Sequence, residues 1–224
     1  DKFINYCLYD KMNGYYMNKN PFGKTGDFTT APNISRLFSE MMAIWTISFW
    51  KNLGSPKRFN LVELGAGNGE MMKIMTESFK RFPSFMSSCN IVIHEKSPNL
   101  IKVQKSKIKF KNIRWVANLN NLNKLPSIFL ANEFFDAIPI KQFFKDKNFW
   151  FEKYVRISSN KKASFVNKKT SIKEIEKKIN FKIPYKQDFI EFSPLGSKYL
   201  RDIFKFLKKN KGGLLIVDYG YLSE

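Results

Sequence analysis

The chain has 224 residues, 43% of them hydrophobic and 26% charged, with 39 basic against 19 acidic side chains and a formal charge of +20. This length supplies a substantial core without disulfides or a structural metal, and 16% aromatic residues exclude a disordered chain. Only six of the basic residues are Arg, the fork that reads bases and clamps phosphates, so the charge is read as Lys-rich surface from biased composition rather than as a nucleic-acid face.

Cys7, Cys89 and the single histidine, His94, give no zinc-ligand spacing and no disulfide framework, which fits a reducing compartment. The longest apolar run, residues 41–50, is too short to span a bilayer and is expected to be a buried helix. The chain starts at Asp1 without an initiator Met, so it is expected to begin inside a longer protein.

In chain order, Phe3, Ile4 and Leu8 are spaced as a helix, and residues 13–26 form a loop rich in Gly, Asn and Lys. Ile34, Leu37, Phe38, Met41 and Met42, at steps of three and four, predict a second helix. The apolar run 59–64 meets glycines at once, and Met72, Met75, Phe79 and Phe82 then share one helical face: strand, tight turn, helix. Ile91, Val92 and Ile93 predict a second strand, and Ser97 followed by Pro98 a capped helix through Leu100, Ile101 and Gln104. Residues 113–116 and 127–131 predict two further strands, and Gly212 and Gly213 introduce a fifth over 214–217. Strands alternating with helices imply an α/β domain on a mostly parallel sheet. The Lys-rich stretch 141–186, alternating over 150–157, reads as an insertion between strands four and five, partly a β-hairpin.

The most informative residues are Glu63, Gly65, Gly67 and Gly69. Glycines after a first strand let the backbone approach a ligand, and the next helix presents free amides there. The spacing is G-x-G-x-G rather than the G-x-G-x-x-G of dinucleotide folds, and Glu63 suits the amino group of an amino-acid-like ligand. Glu95, at the end of the second strand, is placed to accept from two ribose hydroxyls. Together these residues, with Asn132, point to S-adenosylmethionine. His94 is assigned no role.

After the fourth strand, Asn132, Glu133, Phe134, Phe135 and Asp136 face the position of a transferable methyl group. Carboxylates can hold a guanidinium bidentately and aromatic walls can stack on it, which favours an arginine side chain. The same residues suit an exocyclic amine of a flipped base, but a second carboxylate is costly beside phosphates. A plain structural alternative makes the two aromatics core and Asp136 the cap of a following helix.

Four blocks carry a resemblance: Gly-Lys-Thr-Gly-Asp-Phe-Thr-Thr-Ala-Pro-Asn-Ile-Ser over 23–35, Glu-Leu-Gly-Ala-Gly-Asn-Gly over 63–69, Ala-Asn-Glu-Phe-Phe-Asp-Ala-Ile-Pro over 131–139, and Gly-Gly-Leu-Leu-Ile-Val-Asp-Tyr-Gly-Tyr over 212–221. Their order resembles the MidA-like methyltransferases, a family that includes the mitochondrial complex I assembly-factor arginine methyltransferase. Where the family commonly shows Pro, Arg, Glu and Gly, this chain has Ala66, Asn68, Asn33 and Ser39. The resemblance implies a Rossmann-like class I fold, S-adenosylmethionine as cofactor, and dimethylation of an arginine in a hydrophilic subunit of respiratory complex I. It also implies two further strands after the one ending near Asp218, so the chain is expected to stop short of the whole sheet.

The resulting expectations are a helical N-terminal segment over 1–58, a cofactor-binding core over 59–140, an insertion over 141–190 and a core continuation over 191–224. Glu133 resembles in position the first acid of the paired-glutamate loop of other arginine methyltransferases, with Asp136 or Glu152 as the second. Asp27, Phe28 and Thr30, in a segment expected at the cofactor mouth, join Phe135 and Glu152 as substrate-binding candidates. A protein substrate, no metal, no membrane span and no nucleic acid are expected; the compartment is the cytoplasm for a bacterial chain and the mitochondrial matrix for a eukaryotic one. A nucleic-acid amino-methyltransferase and a non-catalytic assembly factor are the alternatives.

Overall fold

A computed structural model of the chain describes residues 1–18, 21–23 and 26–220. Lys24, Thr25 and Tyr221, which belong to the resembling blocks, lie outside the described residues. In chain order the elements are α1 (Lys2–Tyr9), α2 (Tyr15–Asn18), α3 (Ala31–Ile34), α4 (Arg36–Asn52), β1 (Phe59–Leu64), α5 (Glu70–Phe79), α6 (Pro83–Ser88), β2 (Cys89–His94), α7 (Pro98–Lys107), β3 (Ile113–Val116), β4 (Ser127–Asn132), β5 (Lys141–Asp146), β6 (Phe149–Ile157), β7 (Ala163–Thr170), α8 (Ile172–Ile179), β8 (Phe189–Phe192), α9 (Pro194–Asn210) and β9 (Gly212–Val217). The chain forms two compact units, one from Asp1–Cys7 and Ile138–Leu200, the other from Leu8–Ala137 and the segment starting at Arg201. No helix among the described residues is long and apolar enough to cross a membrane.

The second unit is the expected α/β domain. Its sheet has the order β3-β2-β1-β4-β9, all pairs parallel. Succession runs one way from β1 to β3 and the other way from β4 to β9, so the strand order reverses between β1 and β4. Crevices at such a reversal, beyond the carboxyl ends of the strands, are where open α/β sheets bind ligands. Both faces are covered. Phe59 and Leu61 of β1 pack with α4 and α5 through Met42, Ile47, Met72 and Met75, whereas Val62 and Leu64 pack with Phe129 and Ile203 on the opposite face. Alternation along a strand therefore places Glu63 on the face of Phe59 and Leu61.

The predicted helices form, with instructive differences. Ser35, extended at φ −134°, separates α3 from α4, so Ile34 is not in the long helix. The face of α4 turned inward carries Ser39, Met42, Ala43, Thr46, Ile47 and Trp50, while Leu37, Met41 and Ile44 are exposed. Small residues allow the closer approach, and the run 41–50 is half-buried rather than buried. Phe82 lies beyond α5, in non-helical backbone before Pro83 (φ −129°, ψ 74°), because the residue preceding a proline is driven out of the helical region. The loop over 13–26 contains α2. Gly212 and Gly213 lie inside β9 rather than before it: a Cβ on Gly212 would stand 1.8 Å from the Ser127 carbonyl oxygen, and one on Gly213 2.5 Å from the Phe49 ring.

The first unit is built on an antiparallel sheet of order β7-β6-β5-β8, richer than the hairpin expected. Phe143, Trp150, Ile175 of α8 and Ile183 form its core. Ser171 caps α8 in a reciprocal box with Glu174.

Candidate functional site

The carboxyl ends of β1, β2, β4 and β9 converge on the glycine turn. Gly65, Gly67 and Gly69 all have positive φ, at 65°, 52° and 79°. At Gly65 the requirement is also steric, since a Cβ would sit 2.8 Å from the Phe134 ring. This contact ties the loop after β4 to the turn after β1. The Phe22 ring covers Gly67, 3.5 Å from where its Cβ would be.

Glu63 is buried on β1, and its Oε2 has no hydrogen-bond partner among the described residues. Burial first, and then the charge of Glu95, push its carboxyl up to about 8. On the neighbouring strand Leu130 pairs with Glu63. Asn132, two residues on, therefore shares its face, and the Asn132 Oδ1 is likewise buried and partnerless. Two unsatisfied acceptors on one face at the reversal point are what a cationic donor would satisfy, because a buried polar group without a partner is costly.

Glu95 is held at both oxygens. Its Oε1 accepts from the backbone N–H of Lys96 (2.8 Å) and Ser97 (3.0 Å), and its Oε2 accepts from Gln104 Nε2 (3.1 Å). Burial raises its pKa against these hydrogen bonds. The same Gln104 amide donates to the Gly67 carbonyl (2.8 Å). His94 is buried at the end of β2, its Nδ1 3.1 Å from the Val116 carbonyl and its titration pushed down to about 4 by burial.

Glu133, Phe135 and Asp136 follow β4. Glu133 adopts φ 48°, a left-handed conformation uncommon for a side chain of this size, and its N–H donates to Val217 O (2.8 Å). No helix follows, so Asp136 is not a helix cap; Phe134 and Phe135 pack partly buried against the core. Asp218, unread as a site residue from the sequence, accepts at Oδ2 from the backbone N–H of Phe135 (2.9 Å) and Asp136 (3.3 Å). Burial, then the charges of Asp218 and Glu133, raise Asp136 above the usual carboxylate range. Glu133 is also the leading cause of the raised Tyr219 hydroxyl. Three carboxylates thus lie near the ends of β4 and β9, with Asp136 close enough to feel the charges of the other two.

The N-terminal segment reaches the turn through Asn68, whose Nδ2 donates to Asn33 Oδ1 (2.9 Å); Asn33 in turn donates to Thr30 Oγ1 (2.9 Å). Asn33 and Asn68, two of the positions where the sequence departs from the resembling pattern, are therefore partners in an amide pair. Phe28 is exposed beside Phe22, and Asp27 accepts from the Tyr15 hydroxyl. Glu152 is different: it belongs to the antiparallel unit, where Lys141 (2.8 Å) and Lys178 (3.0 Å) take its two oxygens. Both oxygens of Glu152 are thus engaged by lysines, whereas Asp136 lies on the loop after β4 beside Glu133.

Comparison with known proteins follows the same lines. The family model described as "Putative S-adenosyl-L-methionine-dependent methyltransferase" matches residues 41–224. The chain is 29% identical over 249 residues to protein arginine methyltransferase NDUFAF7, mitochondrial, of Xenopus laevis, covering 100% of this chain and 56% of that protein. With the Homo sapiens protein of the same name the identity is 29% over 246 residues, covering 98% and 55%. The chain thus spans little more than half the length of these relatives. A crystallised superfamily member from Burkholderia thailandensis, solved bound to S-adenosyl-homocysteine, superposes with a TM-score of 0.75 at 20% identity, over 98% of this chain and 57% of that one.

Proposed function

The chain belongs to the S-adenosyl-L-methionine-dependent methyltransferase family, and from that premise we propose that it transfers a methyl group to an arginine guanidinium of a protein substrate. The observation that carries this reading is the group of three carboxylates, Glu133, Asp136 and Asp218, beside the Phe134 contact with the glycine turn. The name of the vertebrate relatives, protein arginine methyltransferase, supports the acceptor.

The residues fit the cofactor. Glu63 Oε2 and Asn132 Oδ1 await a donor, the glycine turn leaves room for a ligand's approach, and Glu95 Oε2, which accepts one hydrogen bond within the protein, retains a lone pair for a hydroxyl. In this reading Glu63 and Asn132 hold the amino-acid end and Glu95 the ribose. When bound, S-adenosylmethionine supplies a methyl group activated by its sulfonium.

Glu133 and Asp136 hold the guanidinium and draw its positive charge toward the nitrogens that are not methylated, leaving the third nitrogen the better nucleophile. Asp218 sets the backbone of that loop and adds negative potential. Orientation supplies the rest. Asp27, Phe28, Thr30 and Phe135 are assigned to the walls around the acceptor. The acceptor protein is proposed to be a hydrophilic subunit of respiratory complex I, met in the mitochondrial matrix of a eukaryote or the cytoplasm of a bacterium.

Incubation of the full chain with methyl-labelled S-adenosylmethionine and such a subunit, followed by amino-acid analysis, tests the reading. Labelled methylarginine is the expected product. Label recovered only in nucleic acid, or in another amino acid, contradicts it.

A further inference from the structure

Gln104 is completely buried on α7, and all three of its polar positions are engaged. Its Oε1 accepts from the indole N–H of Trp115 on β3 (2.9 Å), and its Nε2 donates to both the Gly67 carbonyl and Glu95 Oε2. The orientation of this amide is fixed by chemistry. An indole nitrogen only donates, whereas a carbonyl and a carboxylate only accept, so no other rotation satisfies the three neighbours.

We propose that Trp115 and Gln104 form a positioning relay that locks the Glu95 carboxylate, relative to the glycine turn, in the orientation that selects a ribose diol. Without the indole N–H, the amide oxygen is left buried with no donor, while the Gly67 carbonyl and Glu95 Oε2 still favour the present orientation of Nε2. A flip would set the oxygen against Glu95 Oε2 and the Gly67 carbonyl, acceptor facing acceptor, so the amide instead shifts to find another donor and loosens its hold on Glu95. Glu95 then keeps its Lys96 and Ser97 amides but is released at one oxygen, so its placement against two hydroxyls at once is lost. Neither Gln104 nor Trp115 is a catalytic residue; each acts through Glu95.

The inference rests on Glu95 being the ribose acid, and one experiment separates the two. Affinities of the full chain for S-adenosylhomocysteine and its 2′-deoxyribose analogue are measured by calorimetry in wild type, Trp115→Phe, Gln104→Met and Glu95→Gln. Trp115→Phe preserves the ring packing of a half-buried residue, and ligand-free thermal melts verify that each variant is folded. The wild-type preference for the ribose ligand is expected to be about tenfold, the worth of one well-placed hydrogen bond to a charged acceptor. It should fall below about threefold in Trp115→Phe and in Gln104→Met, with the double variant no worse than either single one. If Glu95→Gln abolishes the preference while folded Trp115→Phe and Gln104→Met keep it, the relay is wrong and the reading of Glu95 survives. If Glu95→Gln keeps it too, the ribose assignment fails and the relay with it.

Discussion

Two buried glutamates, one in each unit, meet opposite fates. Glu152 on β6 is as buried as Glu63 on β1, but Lys141 and Lys178 occupy its oxygens and hold its pKa below the usual value against burial. Among the described residues Glu63 forms no ion pair, and its carboxyl rises to about 8. The antiparallel unit completes its buried charge from within. The parallel-sheet unit leaves its own incomplete, at the end of a strand beside glycines, where a ligand can complete it. A buried acid thus reads as structural or as ligand-seeking according to whether the fold supplies its partner.

The largest expected effect breaks the ligand side. Gly67→Val forces a β-branched residue into φ 52° against the Phe22 ring and should weaken S-adenosylhomocysteine binding by roughly 100-fold or more. Calorimetry showing wild-type affinity would remove the turn from the cofactor site. Glu133→Gln, which leaves Glu63, Glu95 and the turn untouched, should retain cofactor affinity within about twofold and lose methyl transfer by about 100-fold, since one transition-state charge partner is worth roughly 3 kcal/mol. Full activity in that variant would refute the acidic pocket.

The two glutamates also predict opposite pH signatures. The folded pKa of Glu63 lies above its usual 4.5, so its favourable share of stability is complete below about pH 4.5 and is lost as pH rises through about 8. Glu63→Gln should accordingly raise the ligand-free stability at pH 8 by on the order of 2 kcal/mol, while weakening cofactor binding. For Glu152 the folded pKa is depressed, so its contribution is present above the unfolded pKa and is lost as pH falls through the folded one. Glu152→Gln should destabilise the protein at neutral pH by about 2 kcal/mol, less than a fully enclosed pair because Lys178 is half exposed, and leave cofactor affinity unchanged. Denaturant melts at pH 5 and 8 distinguish the two signs. The smallest effect belongs to the Asn33–Asn68 pair: Asn33→Glu alone should cost about 1 kcal/mol, and adding Asn68→Arg should recover most of it, read as non-additivity in thermal melts.

What could be read from the residues alone follows the range of the interaction concerned. β1, its glycine turn and α5 were legible because an apolar run meeting glycines is a local signal, and Glu63 and Glu95 stand at fixed offsets from it. The inward face of α4 was not, since Leu37 and Met41 are as apolar as Met42 and Ile47, and only the approach of α5 selects among them. β7 was missed because Ala163–Thr170 is a polar, largely exposed edge with no alternation to detect. In the site, Gln104, Asp218 and the meeting of Asn33 with Asn68 depend on partners 9, 83 and 35 positions away. The ion pairs of Glu152 were hidden for the same reason: an acid on an alternating strand gives no hint of lysines 11 and 26 residues distant.

The most direct test of the incomplete charge at Glu63 is S-adenosylhomocysteine affinity measured between pH 6 and 7.5, in buffers of differing ionisation enthalpy. Over this window the ligand's own amine, with a pKa near about 8, remains mostly charged. Binding should release close to one proton from Glu63, with affinity climbing several-fold per pH unit, and Glu63→Gln should flatten both. Affinity that is constant across the window, with no proton released, would mean that Glu63 does not meet the cofactor's cation.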